Sequence, residues 1–93
     1  MGFEWDNNKA EINASKHNVT FFDSVTVFAD PYLLIADDTK HSQTEKREQA
    51  IGEAESGKIL VVVFTRRANS IRIISARPAN KKERKLYAQR RTK

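Results

Sequence analysis

KILVVVFTRRANSIRIISAR, residues 58–77, is the stretch from which the fold can be read. Ile59–Phe64 is a run of six apolar residues rich in Val. It is too short for an independent buried helix and β-branched enough for a strand walled on both faces, so it predicts a central strand. From Ser70 onward the pattern alternates: Ile71, Ile73 and Ser75 point one way, and Arg72, Ile74 and Ala76 the other. The polar segment Arg66–Ser70 between them predicts a hairpin turn, with Asn69 able to tolerate the positive φ that a tight turn demands. The hairpin also carries Arg66, Arg67, Arg72 and Arg77 at or near a hydrophobic sheet, and a permanent guanidinium charge is rarely placed there without an anion to meet.

Parity decides which arginines can act together. Positions 72 and 77 differ by an odd number, so in a regular strand they face opposite sides, and both reach one site only if the chain turns before Pro78. With Ala68-Asn69 as a two-residue turn, Arg67 faces Ser70 and Arg66 shares a face with Arg77. One further loop residue puts Arg66 with Arg72 instead. The sequence leaves both registers open.

Ninety-three residues predict one domain spanning 1–93, burying about 60 to 65% of its unfolded surface around one modest core. The chain has no cysteine, which excludes disulfides and thiolate metal sites and suits a reducing compartment. No apolar run approaches the roughly 18 to 20 residues that span a bilayer, and MGFEWDNNK lacks the order of a signal peptide, so a cytoplasmic protein without membrane contact is expected. The net charge of +5 is uneven. Residues 1–76 carry nine Lys/Arg against eleven Asp/Glu, and residues 77–93 carry eight against Glu83 alone. A basic terminal segment on a slightly acidic body suits nucleic acid or an acidic partner, and equally a solvated, solubilising tail.

Outside the hairpin, Phe3–Trp5 predicts a short strand or a plug, and Asp6 an N-cap. Residues 7–17 predict a helix ending in Lys16 and His17, with Asn18 in the left-handed position after it. Thr20 and Asp23 open a second helix that Asp30-Pro31 stops. Tyr32–Ala36 predicts a strand, Asp37–Arg47 a solvated loop, and Glu48–Ala54 a third member of a three-strand meander. Asn80 and Glu83 fit a capping box opening a last helix through Arg91, anchored only by Leu86 and Tyr87. The result is an α+β fold: a small antiparallel sheet, two N-terminal helices and a basic C-terminal helix.

FEWDNNKAEINASKH, VFADP, GEAESGKILVVVFT and above all IRIISARPANKKERKLY resemble the BrnT family of small type II toxins. The resemblance implies a RelE-like fold and a metal-independent endoribonuclease that needs no cofactor, cleaves RNA and arrests translation. It further implies a BrnA-like antitoxin that forms a hetero-oligomer with the toxin, touches operator DNA on its behalf and represses their shared operon. One departure is Asn18 where the family pattern usually has Gly, and Asn is the next best residue for a left-handed cap.

Metal-free RNA cleavage needs a base for the 2′-hydroxyl, cationic donors for the charge developing on phosphorus, and an acid for the departing 5′-oxygen. Arg66, Arg72 and Arg77 are the natural donors, because the guanidinium fork matches two phosphate oxygens. Each has a structural alternative: Arg72 paired with Asp30 or Glu53, Arg77 closing a strand end. His17 can take or give a proton near neutral pH, or merely cap its helix. Lys16, Lys81, Lys82, Arg84, Arg90 and Arg91 are candidate RNA contacts, and Tyr87 can stack a base or anchor the last helix. Glu83 could act as a base, although capping accounts for it, and His41 reads as a solvated loop residue. The competing reading is a non-catalytic basic nucleic-acid-binding module.

Overall fold

The structure is a computed structural model that describes residues 2–40 and 45–92; His41 lies outside them. In chain order the elements are β1 (Gly2–Glu4), α1 (Asn7–His17), α2 (Phe21–Thr26, continued by a 3-10 turn Val27–Ala29), β2 (Leu34–Asp37), β3 (Glu48–Glu53), β4 (Ile59–Arg67), β5 (Ser70–Pro78) and α3 (Lys81–Arg91). The fold is α+β, as expected, and no described helix is long and apolar enough to cross a membrane.

The helix ends follow local chemistry. Asp6 accepts from the N–H groups of Asn8 and Lys9, and Asn18 closes α1 at φ 55°. Thr20 caps α2 through the Asp23 N–H, and the Asn80–Glu83 capping box opens α3. Each supplies partners that a helix end otherwise lacks.

The strands form one sheet in the order β1-β5-β4-β3-β2, with β4 at its centre. β2, β3, β4 and β5 run antiparallel, but β1 lies parallel to β5, so the sheet is mixed where an antiparallel one was expected. The physical reason is that β1 joins β5 from the other end of the chain, with no hairpin to impose direction, and is held by packing Phe3 on Phe28, centroids 5.3 Å apart, against the core. One sheet face packs Ala50, Leu60, Val62, Phe64, Ile71, Ile73 and Ala76 against Val19, Phe21 and Val27. Burying each Val, Leu, Ile or Phe among them contributes about 1.5–3 kcal/mol. Gly52 permits the closest approach there: a Cβ at this position would lie 2.8 Å from Val27 Cγ1.

Two features of the hairpin differ from a regular ladder. The turn has two residues, since Arg67 pairs with Ser70, but it is Ala68 (φ 28°) rather than Asn69 that takes the positive φ. Farther on, Val63 pairs with Ser75 and Phe64 with Ile73, leaving Ile74 as an unpaired bulge. A bulge shifts side-chain parity by one. Ile71, Ile73 and Ala76 thus all reach the core, while Arg72, Ser75 and Arg77 share the second face.

β1 pairs only with residues 70–72 and leaves the rest of β5 with a bare edge. α1 covers it. The buried Asn13 accepts from the Ala76 N–H (3.0 Å) and donates to the Val19 carbonyl (3.0 Å), satisfying backbone groups that an open edge would expose. The segment after β2 is less fully solvated at its base than its composition suggested: Asp38 is buried, its N–H donates to the Arg47 carbonyl, and the Thr65 hydroxyl reaches the Lys46 carbonyl at 2.8 Å.

Candidate active site

The second sheet face carries Arg67, Arg72, Ser75 and Arg77, opposite Ser70, Thr65, Val63 and Val61 respectively. Ser75 stands between two arginines. At about 3.3 Å per residue, Arg72 and Arg77 lie roughly 7 Å to either side of it and about 13 Å from each other along the sheet. The chain does not turn before Pro78; the Ile74 bulge brings both arginines to one side.

α1 supplies the wall of this site. Lys9, Ile12, Asn13, Lys16 and His17 recur at helical spacing along one stripe, and together with Ile74 and Ser75 they line a cavity of about 190 Å³. His17 and Lys16 occupy the last turn of α1, which Asn18 ends, and so they come to the bulge that separates Arg72 from Arg77. The structure thus places Lys16 and His17 in one cavity with Ser75, and Arg72 and Arg77 on the sheet face of Ser75 to either side of it; no chemical signal in the sequence singles Ser75 out.

The two arginines are held differently. Arg72 has Glu4 as its ion-pair partner at 3.8 Å, and its side chain is 28% exposed; the pair foreseen with Asp30 or Glu53 is not formed. Arg77 is gripped by Glu83 in a bidentate fork, Nη1 to Oε1 at 2.7 Å and Nη2 to Oε2 at 2.8 Å. This fork raises the pKa of Arg77 and, opposed by burial, lowers that of Glu83, which also accepts from the Asn80 N–H. Capping alone does not account for Glu83.

Arg66 is not part of the group. The two-residue turn does form, but the bulge reverses the parity beyond it, so Arg66 shares the core face with Ile71 and not the face of Arg77. There it donates to Glu48 at 2.7 Å and lies over the Phe64 ring, 5.6 Å from the centroid. Arg67 is on the same face as Arg72 and pairs with Glu45 at 3.4 Å.

Along α3, Lys81 and Lys82 are exposed beside the Arg77–Glu83 pair, Arg90 is exposed near the far end, and Arg84 donates to the Ala79 carbonyl at 2.8 Å. Tyr87 is the anchor: its ring is buried, which leaves no face for a base to stack on, and its hydroxyl donates to Asp30. Leu86, the other expected anchor, is 47% exposed. Burial would raise the pKa of Asp30, but the Glu53 N–H, the Tyr87 hydroxyl, the Tyr32 N–H and Arg91 outweigh it and hold the carboxyl below its usual range. Arg91 stacks on Tyr32 and Tyr87 and pairs with Glu53 at 2.7 Å. These groups line a larger cavity of about 420 Å³, but they serve one another as partners, so it reads as the seat of α3. Among the described residues no group of three or more acidic or imidazole side chains is placed to hold a metal ion.

The sequence and the fold are similar to those of known proteins. A family model described as "Ribonuclease toxin, BrnT, of type II toxin-antitoxin system" matches residues 5–83. The fold is similar to the 1.1 Å crystal structure of the Brucella abortus ribonuclease toxin BrnT, with a TM-score of 0.67 and 27% identity over 87% of this chain and 99% of that one. No curated protein sequence matches.

Proposed function

This chain belongs to the family of BrnT ribonuclease toxins of type II toxin–antitoxin systems, and from that premise we propose that it cleaves RNA without a metal ion in the site between α1 and the bulged strand β5. The observation that supports the reading is the bulge at Ile74, which gives Arg72, Ser75 and Arg77 one face, while Ser75 shares a cavity with His17 and Lys16. In the proposed reaction the 2′-oxygen attacks the adjacent phosphorus while a base takes its proton. The P–O5′ bond breaks, and an acid protonates the leaving oxygen. The products are a 2′,3′-cyclic phosphate and a 5′-hydroxyl, with atoms and charge in balance.

Arg72 and Arg77 stabilise the charge that develops on the non-bridging oxygens, and Lys16 holds a neighbouring phosphate. His17 is the group placed for proton transfer. Lys81, Lys82 and Arg90 extend the positive surface along α3 and guide the RNA chain. The cytoplasm is the site of action and translation its target. A type II toxin has an antitoxin partner; we take this one to be BrnA-like, forming a hetero-oligomer that inhibits the enzyme and represses the shared operon through the antitoxin's DNA-binding domain.

Purified protein incubated with RNA in EDTA tests the reading. Limited cleavage leaving 5′-hydroxyl ends is the expected result, lost by about 10² to 10³ in rate in Arg72→Ala and in Arg77→Ala with the fold intact. A stable gel shift without cleavage would instead establish a nucleic-acid-binding module.

A further inference from the structure

The Arg77–Glu83 fork fixes which edge of the guanidinium faces outward. A guanidinium has five N–H donors in one plane. Glu83 takes one hydrogen of Nη1 (2.7 Å) and one of Nη2 (2.8 Å), and the Pro78 carbonyl lies 3.4 Å from Nη1. What remains is Nε–H and the second Nη2–H, which lie side by side on one edge of the plane, spaced for two oxygens of one phosphate. Among the described residues Nε makes no hydrogen bond. The Arg77 side chain is 39% exposed and Glu83 15%, so the carboxylate is the inner, fixed partner and the guanidinium the outer one. The Glu83 carboxylate is itself held by the backbone: its Oε1 accepts from the Asn80 N–H at 2.9 Å, a contact that does not need the Asn80 side chain.

We propose that Glu83 is a positioning residue, which holds the Arg77 guanidinium by one edge so that the Nε/Nη2 edge is presented to the RNA phosphate before substrate arrives. The proposal rests on the reading of Arg77 as a phosphate donor. It assigns Glu83 a role other than proton transfer: a carboxylate engaged by two guanidinium hydrogens and a backbone N–H has little basicity left for a 2′-hydroxyl, in keeping with its lowered pKa. It also explains why the first turn of a strongly basic helix carries one acid. That acid orients the neighbouring positive charge rather than merely diluting it, and orientation set in advance costs nothing at the moment of reaction.

A double-mutant cycle on a fluorescent RNA that the wild-type toxin cleaves tests this. Glu83→Gln keeps an acceptor for the Asn80 N–H but sets its amide donor against Nη2. We expect kcat to fall about ten- to a hundredfold with KM unchanged or lower, since a phosphate site that loses a nearby negative charge binds RNA no worse. Asn80→Ala weakens the same helix end while leaving the fork. It should lower the melting temperature by a few degrees with kcat kept, whereas a purely capping role for Glu83 would make the two variants behave alike and sink the proposal. Arg77→Lys, which keeps the charge and loses the fork, should lose about as much kcat as Arg77→Ala; a lysine variant near wild-type rate overturns the proposal even where Glu83→Gln fails to fold. In the Arg77→Ala background Glu83→Gln should have no further effect. A full further loss there would mean that Glu83 acts by itself, against the proposal. If Arg77→Ala cleaves at the wild-type rate, the reading of Arg77 fails, and this inference falls with it.

Discussion

Replacing Tyr87 with Phe removes one oxygen at the seat of α3 and tests how that helix is held. The Tyr87 hydroxyl donates to the Asp30 carboxylate, and the ring is buried. A hydrogen bond to a charged acceptor contributes about 1.5–3 kcal/mol. Asp30 keeps the Tyr32 and Glu53 N–H groups, both at 2.8 Å, after the substitution, which places the loss at the lower end. For a domain of this size about 1.5 kcal/mol corresponds to a fall of roughly 6–12 °C in melting temperature. The same contact gives a signature in pH. Burial first, and the Asp30 hydrogen bond second, push the Tyr87 pKa up to about 12 from its usual 10.0. A group whose pKa is raised in the folded state binds its proton more tightly there, so its contribution is complete below about pH 10 and is lost as pH rises from 10 towards 12. Urea melts of both proteins across pH 7–11 therefore measure two things: a neutral-pH difference, and a narrowing of that difference above pH 10. A Tyr87→Phe variant that melts within a degree of the parent, or a gap that stays constant to pH 11, would refute the reasoning.

Gly52→Ala brings a Cβ to 2.8 Å from Val27 and 3.1 Å from Leu33, and should cost about 1–3 kcal/mol in urea unfolding. Ala68→Gly relieves a positive φ at the hairpin turn and should stabilise by about 0.5–1 kcal/mol, read as a melting point raised by a few degrees. Replacing Lys81, Lys82 and Arg90 together with Gln should weaken RNA binding and flatten its log–log salt dependence by close to one unit for each phosphate that is no longer neutralised; an unchanged slope would show these charges to be merely solvated. Calorimetry of the same variant against the antitoxin asks whether inhibitor and RNA share this surface: weaker binding is the outcome expected of a shared surface.

Features governed by near neighbours were legible in the sequence. Asn18 as a left-handed stop, the Asn80–Glu83 box and the six-residue core of β4 each depend on chemistry within a few positions, and the structure has all three. The bulge was not legible, because Ile74 is an ordinary strand residue flanked by others, with no glycine to mark it. Its place is set by the demand that Ile73 and Ala76 both reach the core. That demand decides the faces of Arg66 and Arg77, so parity counted along an unbroken strand put them together wrongly. Asn13 was equally hidden. An asparagine in a polar helix looks solvated until the edge of β5 is known to lie beside it, and the only available signal was its position one turn before His17 on the same stripe.

The pairing of β1 with β5 also sets an order of events. Gly2 lies beside Ser70, and Asn13 meets Ala76, so β1 and α1 find their partners only when β5 has been synthesised. Contacts so distant in sequence close slowly and late, after the local turns and helices have formed. Arg72, Ser75 and Arg77 belong to that same strand. A chain stalled or cut short before residue 70 lacks the partner that seats β1 and all three of these residues. The ribosome making this chain thus holds a polypeptide whose amino-terminal strand has nothing to pair with until β5 has emerged.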